Sequence, residues 1–227
     1  MYLSCVNLGC DALETCRLVA SPYRVHAIVE AACEDGASAS SEDEQGRVLW
    51  RLDSSAATGE LRLYIVSPAP PNKHELSNRL CVDEPQVLVK DYRHRVAEVK
   101  TGQVWAFRLK ANPVRKVLQD KGAVPRDGIV GTLQGAVTVA QQVEWLIKRA
   151  AANGFEVVSG ATGEPQVVVS QRRKEKFLRA GKTVTLATAQ YDGMLRVTDA
   201  ALFRRALTSG IGRAKGFGCG LLTIARP

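Results

Sequence analysis

Two successive runs that read roughly β-α-β-β-α-β predict an α+β fold of two tandem ferredoxin-like (βαββαβ) domains. Three observations carry that expectation. The chain has 227 residues, more than one typical domain needs. Strands in each half show apolar–polar alternation, and capped helical segments lie between them. The first domain is placed at residues 1–95 and the second at 103–227.

In the first half, Tyr2 to Leu8 is the opening strand. A helix follows, with Ser21 as N-cap and Pro22 at its first position, where a missing N–H costs nothing. It runs through Cys33 and ends near Gly36, and Ala37 to Gln45 is a polar loop. Arg47 to Asp53 and Glu60 to Ser67 alternate, and Ala56 to Gly59 turns between them as a β-hairpin. Pro68-Ala69-Pro70-Pro71 breaks the chain, and a weaker helix or loop fills the region to about Arg95. The helix that should close this copy has no pattern of its own.

The second half is clearer. Val104 to Ala111 is a strand stopped by Asn112-Pro113, and Gly122 to Gly135 is an extended, glycine-spaced loop. An amphipathic helix over Val139 to Ala152 closes at Asn153-Gly154. Strands follow at Phe155 to Ser159, Gln166 to Gln171 and Thr183 to Val197, the last interrupted at Asp192-Gly193. A helix capped by Thr198 or Asp199 spans Ala200 to Thr208. A glycine-rich loop then leads to the last strand, Leu221 to Ala225.

The formal charge of +8 and pI near 9.3 favour a polyanionic partner such as nucleic acid. No apolar run approaches the roughly 20 residues that span a bilayer. The N-terminus has neither a basic region nor a cleavage site of a leader. A soluble, cytoplasmic protein without membrane contact is expected. The six cysteines form no C-x-x-C pair and only three histidines are present, so reduced, mostly buried thiols are expected and no metal site.

Gly210 to Gly220 holds five glycines (Gly210, Gly212, Gly216, Gly218, Gly220) with Arg213 and Lys215 among them. Such a loop can bring backbone N–H groups against phosphates. It lacks the Gly-Lys-Ser or Gly-Lys-Thr of a Walker A motif. It also follows a helix and opens a strand, the reverse of a dinucleotide-binding turn. The basic run Arg172, Arg173, Lys174, Lys176, Arg179 and Lys182 lies between two strands. It is expected as a protruding cationic hairpin that tracks the phosphates of an RNA stem, whose A-form geometry hides the base edges. Tyr23 and His26 stand three apart and share a helix face, and an imidazole suits proton transfer near neutral pH. His74 and His94 sit in polar, loop-like surroundings.

Three segments resemble the CasE family, the CRISPR RNA-processing endoribonucleases of type I-E systems. These are Met1-Tyr2-Leu3-Ser4, Phe107-Arg108-Leu109-Lys110-Ala111-Asn112-Pro113, and above all Gly210-Ile211-Gly212-Arg213-Ala214-Lys215-Gly216-Phe217-Gly218-Cys219-Gly220-Leu221-Leu222. The resemblance extends over nearly the whole chain. It implies two ferredoxin-like domains and a cut made without metal or other cofactor, in which the ribose 2′-OH attacks the adjacent phosphate. The products are a 2′,3′-cyclic phosphate and a 5′-OH. It implies His26 as general acid/base, Tyr23 as the residue that places the scissile group, and either Lys215 or Arg24 as the cation on the phosphorane. Arg172 to Lys182 corresponds to the family's basic hairpin. The implied partners are the CRISPR repeat hairpin and the other Cascade subunits. The competing expectation is a non-catalytic subunit that binds an RNA hairpin; His26 beside Tyr23 speaks against it, because a binder needs neither.

Overall fold

The computed structural model describes residues 1–8, 13–33, 47–55, 58–117, 132–179 and 181–227. The polar loop expected at Ala37 to Gln45, the centre of the turn expected at Ala56 to Gly59, and residues 122–131 of the glycine-spaced loop lie outside them.

In chain order the first half contains β1 (Tyr2–Leu8), α1 (Leu13–Val19), α2 (Pro22–Cys33), β2 (Leu49–Ser54), β3 (Leu61–Ser67), α3 (Lys73–Leu80), β4 (Val87–Asp91) and α4 (Arg93–Ala97). Its sheet has the order β2-β3-β1-β4 with antiparallel neighbours. Val25, Ile28, Val29 and Ala32 recur at helical spacing and bury one face of α2 against Val6, Leu63 and Ile65 of the sheet. Each of the three valine and isoleucine side chains of α2 contributes roughly 1.5–3 kcal/mol. The region expected as a weaker helix or loop is resolved into α3, β4 and α4. The first of these starts at Asn72, whose side chain accepts from the Glu75 N–H at 3.1 Å, and stops at Cys81 in a left-handed conformation. Helix α1 had no counterpart in the sequence pattern.

The second half contains β5 (Val104–Ala111), β6 (Val114–Val117), β7 (Thr132–Gly135), α5 (Val139–Ala152), β8 (Phe155–Val157), β9 (Val167–Arg179), β10 (Lys182–Val197), α6 (Ala200–Ser209) and β11 (Leu222–Ala225). A capping box between Thr138 and Gln141 opens α5, and the Asp199 side chain accepts from the N–H groups of Ala201 and Leu202 to open α6. The sheet order is β11-β5-β10-β8, with β9 also paired to β10, and β6–β7 form a separate ribbon. The break expected at Asp192-Gly193 is absent. Gly193 sits inside β10 because a Cβ there would fall 2.3 Å from the Gln166 carbonyl, so it marks close strand approach. The basic run, expected between two strands, lies within them: Arg172 to Arg179 form the second half of β9, and Lys182 opens β10 opposite Arg179.

The two sheets meet through their helix-free faces. Leu49, Val66, Tyr92 and Leu221 form an apolar cluster drawn from both halves. Beside it Arg51 is 2% exposed and uses all five of its N–H groups. Two go to the Asp53 carboxylate at 2.6 and 2.9 Å. The others go to the carbonyls of Arg108 and Leu221 and to Thr223 Oγ1. Asp53 is also paired with Arg108, which in turn binds Asp192 at 2.5 Å. Arg51→Met would leave Asp53 short of its main partner and the buried Leu221 carbonyl without its Arg51 donor. Urea denaturation should show a loss of about 3–5 kcal/mol. An unchanged midpoint would mean that the apolar cluster alone holds the halves together.

Candidate active site

His26 projects from α2 into the seam between the halves. Its side chain is 32% exposed and its Nδ1 lies 3.6 Å from Glu30 Oε1, one turn further along. Nδ1 is buried without a hydrogen bond. The other edge of the ring faces the glycine-rich loop: a Cβ on Gly216 would sit 3.2 Å from His26 Nε2. Phe217 meets the imidazole edge-on at 6.4 Å between ring centres. Tyr23 lies on the same helix, 42% exposed. Arg24 is exposed, and its side chain has no partner among the described residues.

The loop's conformation follows from what it packs against. Ala214, with φ of 64°, leads into a 3-10 turn over Lys215–Phe217. Gly210 lies over Leu49, Gly212 over Trp145, Gly216 over His26 and Gly218 over Trp50, while Gly220 approaches the Ile211 carbonyl. At their Cβ positions the glycines therefore admit protein neighbours. Lys215 is adjacent in sequence to the His26 contact, yet its ammonium donates to the Ser209 carbonyl at 2.6 Å. Burial lowers its pKa below the usual lysine value, and nearby Arg47 and Arg205 add to the effect.

The basic hairpin borders the same place. Gln171 has φ of 44° and the β9–β10 register shifts between Thr188 and Gln190, a β-bulge. Beyond it, Phe177 packs on Phe217 at 4.8 Å, and the Arg179 guanidinium lies over the Phe217 ring at 5.6 Å. Arg172 donates to the Val137 carbonyl. Arg173, Lys174, Lys176 and Lys182 are exposed. A cavity of about 400 Å³ between the halves is lined by Pro22, Trp50, Lys110, Arg173, Lys176 and Phe217, among others. Arg213, within the glycine loop, is joined to Asn112 by an isolated backbone bridge.

The structure thus brings together His26, Gly216 and the cationic hairpin, with Phe217 as the hub. It leaves the Lys215 ammonium turned to another group. Sequence reasoning missed Phe217, Phe177 and Glu30. Phe217 was visible as the one aromatic in the glycine run, and Glu30 as an acid one helical turn from His26. His74 is bound to Glu84 and Asn78 on α3. No group of His, Cys, Asp and Glu that could hold a metal occurs among the described residues. Cys33 and Cys219 are buried free thiols, whereas Cys81 is exposed, unlike the burial expected. No described helix is long and apolar enough to cross a membrane.

A family model described as "CRISPR associated protein" matches residues 1–226. The chain is 27% identical to the CRISPR-associated endoribonuclease Cse3 of Thermus thermophilus, over 99% of this chain and 100% of that protein. It is 27% identical to the CRISPR system Cascade subunit CasE of Escherichia coli, over 56% of this chain and 61% of that one. Among solved structures, Thermus thermophilus Cse3 bound to an RNA representing a pre-cleavage complex superposes with a TM-score of 0.73 at 24% identity, covering 99% of this chain and 98% of that one. This last likeness speaks to the fold.

The packing account of the loop separates two glycines of similar backbone. Gly181 has φ of +75° and open space around it, whereas Gly218 has φ of +76° and Trp50 2.5 Å from a would-be Cβ. Alanine at Gly181 should cost only the left-handed backbone penalty of about 1–2 kcal/mol. Alanine at Gly218 should cost roughly 1–3 kcal/mol more through overpacking. Thermal denaturation of the two variants checks this, and equal losses would refute the packing role.

Proposed function

The chain belongs to the CRISPR-associated protein family, and on that premise we propose that it is a metal-independent endoribonuclease that binds the CRISPR repeat hairpin and cuts precursor CRISPR RNA. It acts in the cytoplasm, keeps its product, and serves as a Cascade subunit beside the others of that complex. The reading divides the chain into two ferredoxin-like domains, 1–95 and 103–227. The β4-β1-β3-β2 order of the first sheet and the matching β11-β5-β10-β8 order of the second support that division.

The observation that carries the reading is the seating of His26 between α2 and the glycine loop, with the cationic hairpin alongside. RNA brings its own nucleophile. The protein has to align the 2′-OH with the P–O5′ bond, remove one proton and return one. In the proposed reaction the 2′-oxygen bonds to phosphorus, the P–O5′ bond breaks, and His26 exchanges protons with these oxygens through Nε2. Tyr23, exposed one turn earlier on α2, positions the scissile nucleotide. Lys215 and Arg24 are the candidate cations for the phosphorane. Arg24 is exposed on the same helix, while Lys215 must first release Ser209. Lys174, Lys176 and Lys182, with Arg173, Arg179 and Arg213, hold stem phosphates. Arg172 belongs to this set too, although its present contact with Val137 makes it a brace for the hairpin.

His26→Ala should lower the single-turnover cleavage rate about 10² to 10⁴-fold while hairpin affinity stays nearly constant. Cutting should persist in excess chelator, and an RNA with 2′-deoxyribose at the scissile nucleotide should bind uncut. Obligatory magnesium would overturn the mechanism, and a His26 variant that cuts at the normal rate would overturn the assignment.

Removing Lys174 or Lys176 should weaken hairpin binding and lower the salt dependence of log K by about one unit or somewhat less per contact. Equal slopes for these variants and the wild type would return the hairpin to the status of a solvated ribbon.

A further inference from the structure

Two cavities, of about 450 and 820 Å³, share Val114, Ala136 and Arg213 and so form one continuous groove. One end reaches Phe217, the ring that meets His26. The other runs along α5, away from the hairpin. Its floor is apolar, with Ala136 and Trp145 buried at 5% and 8% exposure. Along α5 its rim carries four cations, Arg115, Lys148, Arg149 and Arg213, and a single carboxylate, Glu144. That carboxylate is held by Lys148 at 2.5 Å. Arg115, Arg149 and Arg213 are exposed. Two amide oxygens in the walls, Asn112 Oδ1 and Gln142 Oε1, are buried without partners among the described residues. Gln142 is fixed in that orientation because its Nε2 donates to the Ala136 carbonyl at 3.0 Å.

An apolar floor with a cationic rim suits an unpaired strand, whose bases lie against the floor while its phosphates follow the rim. An A-form stem offers no such separation, since its bases are stacked inside and its phosphates line both edges. We propose that this groove carries the single-stranded RNA that flanks the repeat hairpin on one side of the scissile phosphate. The inference rests on the reading of the chain as a hairpin-cutting ribonuclease and adds a second contact surface to it. The flank would help to hold the strand in line at His26, because it is gripped on the far side of the bond that breaks.

The test uses the full chain and the variant Arg115→Ala/Arg149→Ala, whose residues are exposed and lie outside the His26 site and the hairpin. RNA affinity is measured across a salt series for the bare hairpin, the hairpin with a 5′ extension and the hairpin with a 3′ extension. The wild type should bind one of the extended RNAs more tightly, by about tenfold, with a steeper salt slope. The double variant should lose that gain, its slope falling by about 1.4 for two single-strand phosphate contacts. Its affinity for the bare hairpin should stay at the wild-type value. A wild type that binds the hairpin but gains nothing from either extension overturns the inference alone, as does a gain that survives in the variant. Failure of the wild type to bind the hairpin at all overturns the functional reading, and the inference with it.

Discussion

Arg51 is the constraint on which the rest of the arrangement hangs. A guanidinium withdrawn from water carries a penalty of several kcal/mol unless every donor finds an acceptor. Here all five do, and three of the acceptors come from the other half of the chain. The bonds have direction, so they set where β2 lies on the second sheet, which apolar contact alone would leave free to slide. From that placement the site follows. Leu49 and Trp50, the residues just before Arg51, meet Gly210 and Gly218, and between those glycines Gly216 meets His26. The proposed reaction centre, assembled from α2 of one half and a loop of the other, is thus positioned by one buried cation on neither.

The elements were legible where a local pattern sufficed. β1 and β5 run over the residues expected of them, α5 starts at Val139 as its amphipathic pattern marks, and α6 begins at Asp199, one of the two caps read for it. Patterns failed where a partner distant in sequence decides. Arg51 looks like the polar, outward residue of an alternating strand. It is buried because a sheet formed more than fifty residues later covers that face, and no local signal announces the cover. Gly193 reads as a strand break for the same reason: the neighbour that requires it is the carbonyl of Gln166.

The glycine loop and the basic run show a different limit. Composition says which groups are present and leaves open what they face. Five glycines with two cations suggest a phosphate cradle, and what composition does not show is that the Cβ position of each faces protein. Six cations in the basic run suggest a uniform clamp. The bulge at Gln171 and the alternation of β9 divide them. Arg172 braces the hairpin on Val137, Arg179 covers Phe217, and the lysines face outward. Their sequence proximity conceals different contacts, although all six, Arg173 among them, are exposed.

This division bears on how a site with one imidazole can work. Preorganised groups accelerate a reaction because their arrangement costs nothing at the moment of charge transfer. His26 meets that condition: Gly216, Phe217 and its own helix hold the ring before any RNA arrives. The Lys215 ammonium does not, since it is engaged by Ser209, and burial, with two nearby arginines, lowers its pKa. In the proposed reaction, proton transfer is therefore prepared by the fold, whereas charge on the phosphorane must be met by Arg24, by loop N–H groups, or by Lys215 after it gives up a hydrogen bond. Each of the latter adds reorganisation to the barrier. An enzyme built this way gains more from gripping its RNA at several points than from a strong electrostatic centre, and slow turnover with a retained product is the kinetic form such a balance takes.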